Sequence, residues 1–134
     1  MVMLNAEIKE AFSKVKLFPV ATASKAGVPN VALIAFVMMT ADDTFWLADN
    51  FMNKTLANVK ENPNIAFSVY DPDSKKCFQI KGTVKVTTSG PDFEKMRGMV
   101  HAKKPDLPAK SLLVMKVTEV FSCSPGPTAG KKVL

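Results

Sequence analysis

Apolar residues follow two different periods along the chain. Leu4, Ile8, Phe12 and Val15 recur at helical spacing, with Lys9, Glu10 and Lys14 between them, which predicts an amphipathic helix beginning near Asn5. Pro19 lies just beyond it, and a short strand is expected over 20–24. Residues 25–29 form a turn in which Gly27 can take positive φ. The apolar run that follows predicts one long strand over 31–40, buried on both faces for part of its length. A turn at 41–43 and a hairpin strand over 44–48 come next.

Asn53 stands where a helix N-cap belongs. A short helix over 54–61 follows, with Leu56 and Val59 facing inward, and Asn62-Pro63-Asn64 stops it. A strand over 65–70 and a turn over 71–74 lead to the clearest alternation in the chain, over 77–87. There Phe78, Ile80, Val84 and Val86 share one face, and Gln79, Lys81, Thr83, Lys85 and Thr87 share the other. Gly90-Pro91-Asp92 opens another amphipathic helix carrying Phe93, Met96 and Val100. A Pro-containing connection over 103–109 leads to a last strand over 112–121. Hairpin-linked strands without regular strand–helix alternation predict a mainly β, antiparallel barrel of about six strands with two or three short helices. One domain over 1–124 and a flexible C-terminal tail over 125–134 are expected.

Composition narrows the picture. With 134 residues, 47% of them apolar, the chain suits one domain with one core. Its longest apolar run, over 31–39, falls far short of the roughly 20 residues that span a bilayer. The first ten residues carry acids where a secretory signal would be basic. A cytoplasmic protein with no membrane partner is therefore expected. Two cysteines, Cys77 and Cys123, neither staple a small fold nor build a zinc cluster, and each is expected as a packed or half-buried thiol. The net charge of +6 would attract anions. The lysines are scattered, however, with no basic helix and no aromatic-interleaved basic stretch, and nucleic acid is not the expected partner.

The most informative stretch runs over 45–55, F-W-L-A-D-N-F-M-N-K-T. A strand ends, a short loop follows, and a helix begins at Lys54-Thr55. A helix start offers free backbone N–H groups and partial positive charge. A lysine ammonium and a threonine hydroxyl added there make an anion site suited to phosphate. On spacing alone, a plain capped helix with a solvated lysine explains the same residues. Neither G-x-G-x-x-G nor G-x-x-x-x-G-K-[ST] is present. The single histidine, His101, lies in an amphipathic helix and brings no nucleophile or metal partner with it.

Several runs taken together resemble the pyridoxamine 5′-phosphate oxidase-like FMN-binding split-barrel family. They are V-A-T-A-S-K-A-G-V-P-N-V, D-D-T-F-W-L-A-D, N-K-T-L-A-N-V-K-E-N-P-N-I-A-F-S-V and I-K-G-T-V, in that order over 19–86. The K-T-x-x-N-[LV]-x-x-N-P block is the specific part. The resemblance implies a split barrel with FMN lying along Ala32, Leu33, Ile34, Ala35, Phe36 and Val37, largely through main-chain contacts. It places Leu47 and Ala48 beside the ring, and Asn53, Lys54 and Thr55 on the phosphate. A ring-proximal polar residue of a later strand would fall at Cys77, with Gln79 on the same face. It also implies a homodimer with FMN at the subunit interface. Pyridoxamine phosphate oxidases proper carry arginines where this chain has Ala32 and Asn53, and an arginine-rich C-terminal segment. This chain has Arg97 alone. The resemblance thus implies FMN binding and flavin-dependent redox chemistry with an unspecified substrate, rather than oxidation of pyridoxamine phosphate itself.

Two functions compete on these grounds. One is a flavin-dependent oxidoreductase fed by a small-molecule or redox-protein electron donor, with Leu33, Phe36 and Trp46 shaping its pocket. The other is a non-catalytic FMN carrier or electron-transfer protein. A tetrapyrrole in place of flavin would have only His101 to ligate iron.

Overall fold

The computed structural model describes residues 2–134. Helix α1 (Ala6–Ser13) is followed by β1 (Phe18–Ala23), β2 (Pro29–Ile34), β3 (Val37–Ala41), β4 (Thr44–Asp49), α2 (Lys54–Glu61), β5 (Asn64–Tyr70), β6 (Cys77–Thr87), α3 (Pro91–Lys103) and β7 (Ser111–Ser122). All seven strands join one antiparallel sheet in the order β2-β1-β5-β6-β7-β4-β3. The fold is therefore the mainly β split barrel expected, with three helices and one strand more than anticipated. No helix among the described residues is long and apolar enough to cross a membrane.

The extra strand comes from the run over 31–40, which is not one element. Ile34 and Val37 are both buried, yet they stand three positions apart. Side chains alternate along a strand, so two residues an odd number apart cannot share a face unless the strand breaks. It breaks at Ala35-Phe36. Nor is the first half buried on both faces: Val31 and Leu33 are 66% and 65% exposed. Two-sided burial belongs instead to β4, where all six residues are buried. Phe45 and Leu47 point into the barrel, while Trp46 and Ala48 meet Phe93, Met96 and Val100 of α3.

Breaking at Ala35-Phe36 determines the overall shape. β2 and β3 are consecutive in the chain but occupy opposite edges of the sheet. Three peptide links reach at most about 11 Å, so the sheet must curl until its edges nearly meet. The curled interior is filled by aromatic side chains. Phe12 and Phe45 lie 5.1 Å apart between ring centres, and Phe45 and Phe67 meet edge to face at 5.0 Å. Helix α1 packs on the barrel core through Ile8 and Ala11, joined by Leu4 just before it. Its start is capped by Asn5, whose side-chain oxygen accepts from the Ile8 N–H at 3.0 Å.

One expectation about the C-terminal region gives way. Cys77 and Cys123, expected as separate thiols, form a disulfide. The register sets Phe78 opposite Ser122, so the next residues outward face each other with Cα atoms 5.0 Å apart, within bonding reach. A separation of 46 residues hides that pairing from the sequence. The last residues of the chain lie back along β7. β4 covers β7 only as far as Lys116, and the tail fills part of the edge left free beyond it. The Ser122 N–H donates to the Lys131 carbonyl at 2.8 Å, and the Val133 N–H to the Val120 carbonyl at 2.7 Å.

Between Lys81 and Gly82 the β6–β7 ladder carries a bulge. A Cβ on Gly82 would run into the Lys116 carbonyl oxygen, and neither backbone can yield without breaking ladder bonds. Gly82→Ala is expected to destabilise the fold by about 1–3 kcal/mol. The check is a urea midpoint shift at unchanged m-value.

Candidate functional site

A cleft of about 510 Å³ opens where the sheet is split. One wall is β2 and the seam after it, and the other is the loop and helix start that follow β4. Three asparagines (Asn30, Asn50, Asn53), Thr55 and two lysines (Lys54, Lys104) supply its polar groups, with no carboxylate among them. The remaining lining is small or apolar, including Ala32, Ala35, Phe36, Phe51 and Leu107.

The loop over 50–53 is held by a residue that the pattern reading missed. Asp49 ends β4 fully buried. One of its carboxylate oxygens accepts from the Met52 N–H at 2.9 Å, and the other from the Ser111 hydroxyl at 2.6 Å. Lys110 adds charge 3.8 Å from that carboxylate, and its ammonium also donates to the Met52 carbonyl at 3.2 Å. Asn50 accepts from the Ala109 N–H at 2.9 Å. These bonds tie the loop to the start of β7 and set the angle at which α2 leaves. A lone Asp closing an otherwise apolar strand, T-F-W-L-A-D, was the available signal, because a buried carboxylate needs partners.

Helix α2 is fixed on its other side by asparagines. Asn58 donates to the Thr22 hydroxyl at 3.1 Å, and Asn30 of β2 donates to the Thr55 hydroxyl at 3.3 Å. Asn53 sits at the cap position with φ −126° and ψ −82°, but its side chain makes no capping bond. This corrects the capping role expected of it. The first backbone N–H groups of α2 therefore keep their hydrogen-bonding capacity and the positive end of the helix dipole at the cleft. Among the described residues, Lys54 forms no salt bridge. Together these groups can hold a doubly charged anion.

A family model described as pyridoxamine 5′-phosphate oxidase matches residues 4–124. The chain belongs to the pyridoxamine 5′-phosphate oxidase family. An uncharacterized protein of Methanocaldococcus jannaschii is 41% identical over 116 residues, covering 85% of this chain and 77% of that protein. Among solved structures, HupZ of Group A Streptococcus superposes with a TM-score of 0.82 at 24% identity, over 96% of this chain and 100% of HupZ. An FMN-binding protein from Syntrophomonas wolfei gives a TM-score of 0.76 at 22% identity, over 87% of this chain and 83% of that one. At such identities these structures bear on the fold, which they share with this family member.

Set against the residues that the family resemblance singled out, the cleft gathers most of one group. Ala32, Leu33, Ile34, Ala35, Phe36, Ala48, Asn53, Lys54 and Thr55 all line it. Val37 and Leu47 belong instead to the barrel core. Cys77 and Gln79 do not line it either: β6 begins beside Ser122, whereas the cleft lies near Ser111, at the other end of β7. Trp46, considered for the pocket wall, is buried under α3. His101 does not line the cleft, and its Nε2 lies 2.8 Å from the Leu107 carbonyl oxygen. Asn30, Asn50, Phe51, Lys104 and Leu107 line the cleft without having been singled out.

Asp49→Ala would leave the half-buried Met52 N–H and the buried Ser111 hydroxyl without their acceptor. A loss of about 2–4 kcal/mol is expected in denaturant unfolding, with Asp49→Asn milder because it retains an acceptor oxygen.

Proposed function

We propose that this cleft binds FMN and that the protein is a flavin-dependent oxidoreductase working as a homodimer. The observation that carries the reading is the start of α2, uncapped, cationic and opening onto a cleft without carboxylates. The cleft volume lies in the range of cofactor sites, and its polar groups suit an anionic ligand. Lys54, Thr55 and the first amides of α2 would hold the phosphate. The small side chains Ala32 and Ala35 leave the backbone of β2 and the seam open to a flat ring. Main-chain N–H and C=O groups there can meet its polar edge. FMN, when bound, supplies one- and two-electron redox chemistry. The protein's part is to orient it and to exclude water with Phe36, Phe51 and Leu107. The solved FMN-binding relative from Syntrophomonas wolfei supports this assignment.

One observation favours the alternative of a flavin carrier or electron relay. No carboxyl, imidazole, phenol or thiol lines the cleft, and with Lys54 assigned to the phosphate, Lys104 is the one ionisable side chain left there to donate a proton. Steady-state reduction with NADH, NADPH or a deazaflavin separates the two readings. Turnover with one donor marks the enzyme, and silence with all of them marks the carrier.

The dimer rests on the cleft's rim. Leu33 is 65% exposed and Phe51 77%, and both line the cleft, with Val31 exposed beside Leu33 on β2. A second copy seated there would bury this apolar edge and close the cleft. Light scattering is expected to give twice the 14.6 kDa chain mass, and a monomer at micromolar concentration would overturn the arrangement.

Purified protein should carry a flavin absorption band, with FMN released on denaturation. Lys54→Ala is expected to weaken FMN binding by about 1.5–3 kcal/mol, roughly ten- to a hundredfold in Kd, without loss of fold. Unchanged affinity in a titration of flavin fluorescence would remove the phosphate site.

A further inference from the structure

We propose that Cys77 and Cys123 form a reversible thiol-redox site, and that their disulfide is the latch that keeps the C-terminal return seated on β7. This inference does not depend on flavin binding, because the pair lies at the end of β7 remote from the cleft.

The two cysteines sit one residue beyond the last β6–β7 pair, Phe78 with Ser122. Strand ends fray, and there only local bonds hold the two chains together. The Cys123 N–H donates to the Cys77 carbonyl at 2.9 Å. The Ser124 hydroxyl accepts from the Cys77 N–H at 2.9 Å and lies 3.3 Å from the Cys77 carbonyl oxygen. The disulfide adds the one covalent restraint at this end.

What it restrains extends past the pair. Residues 125–130 are exposed, and Gly126 and Gly130 turn through positive φ of 126° and 82°. The chain then returns to β7 and bonds to two of its residues. At Val120, the Val133 and Leu134 N–H groups donate to the carbonyl, and the N–H donates to Leu134. At Ser122, the Gly130 N–H donates to the carbonyl at 2.6 Å, and the N–H donates to Lys131. Ser122 thus carries part of the return while standing next to Cys123. Fraying of β7 at Ser122 removes an acceptor and a donor from the return at once. It leaves the Val120 bonds and the Lys132–Glu119 ion pair, 3.6 Å apart and exposed.

Both cysteines are half-buried, so a small thiol can approach. The opening step uses a dithiol reductant. One of its thiolates attacks one sulfur of the pair and breaks the S–S bond, and the other cysteine leaves as thiolate. The second reductant thiol then displaces the first cysteine. Two electrons and two protons reach Cys77 and Cys123, and the reductant leaves as its own disulfide. A disulfide such as oxidised glutathione reverses the process.

The test is amide exchange on the full-length protein, oxidised with glutathione disulfide or reduced with dithiothreitol, beside peptide mapping without reductant. Oxidised protein should yield one linked peptide pair containing Cys77 and Cys123. Reduction should speed exchange at Ser122, Gly130 and Val133 by roughly tenfold while β5 amides stay unchanged. A Cys77→Ser, Cys123→Ser double variant should show the fast rates whether or not dithiothreitol is present. The proposal is overturned if both thiols stay free after oxidation, or if exchange is the same in the two states. It is equally overturned if β5 amides accelerate as much as the return, which would make the bond a global staple, or if the double variant keeps the slow rates.

Discussion

Strands β2 and β3 are joined by two residues yet lie at opposite edges of one sheet, and almost everything else in the molecule answers to that constraint. A sheet with its natural twist can satisfy so short a link only by curling on itself. Curling creates an interior for Phe12, Phe18, Phe45 and Phe67 to fill. It also leaves a seam where backbone faces outward beside the end of β4. The cleft is that seam, widened by the loop over 50–53. The fold and the site therefore share a single cause, and the parity of Ile34 and Val37 specifies it.

Around the seam, the charge distribution is one-sided. Positive charge comes from Lys54, Lys104 and the start of α2, while Asp49, at the end of β4, does not line the cleft and bonds instead to Met52 and Ser111. A carboxylate facing the cleft would oppose an anion. Buried behind the loop, the same group holds Met52 and Ser111 in place, with the Lys110 ammonium 3.8 Å away to balance its charge. The asparagines that fix α2 to β1 and β2 are uncharged, which fits that division of labour.

Much of this was legible in the residues. Strict alternation over 77–87 marked β6, and helical spacing from Leu4 to Val15 marked α1, because each element has one wet face and one dry face. The lysine–threonine helix start could be placed because its chemistry is local, with all parts within a few residues. The run over 31–40 misled because an apolar stretch without polar interruption carries no phase, so a change of face inside it leaves no trace. The disulfide and the seated C-terminal residues were illegible for another reason. The disulfide depends on the β6–β7 register, which brings together residues 46 apart, and the return depends on the edge of β7 that β4 leaves free. Asn53 marked the helix boundary while its side chain left the capping role unfilled.

The contact proposed between a ligand and the main chain of β2 has an evolutionary corollary. Peptide groups are the same in every sequence, so the β2 side of the cleft can keep its donors and acceptors while its side chains drift. What selection can still see there is bulk, since a larger residue at Ala32 or Ala35 would fill the space that the proposed flavin ring needs. Members of this fold can thus differ at most positions and still present the same molecular edge. Their choice of guest would then be decided by the few side chains at the two ends of the cleft.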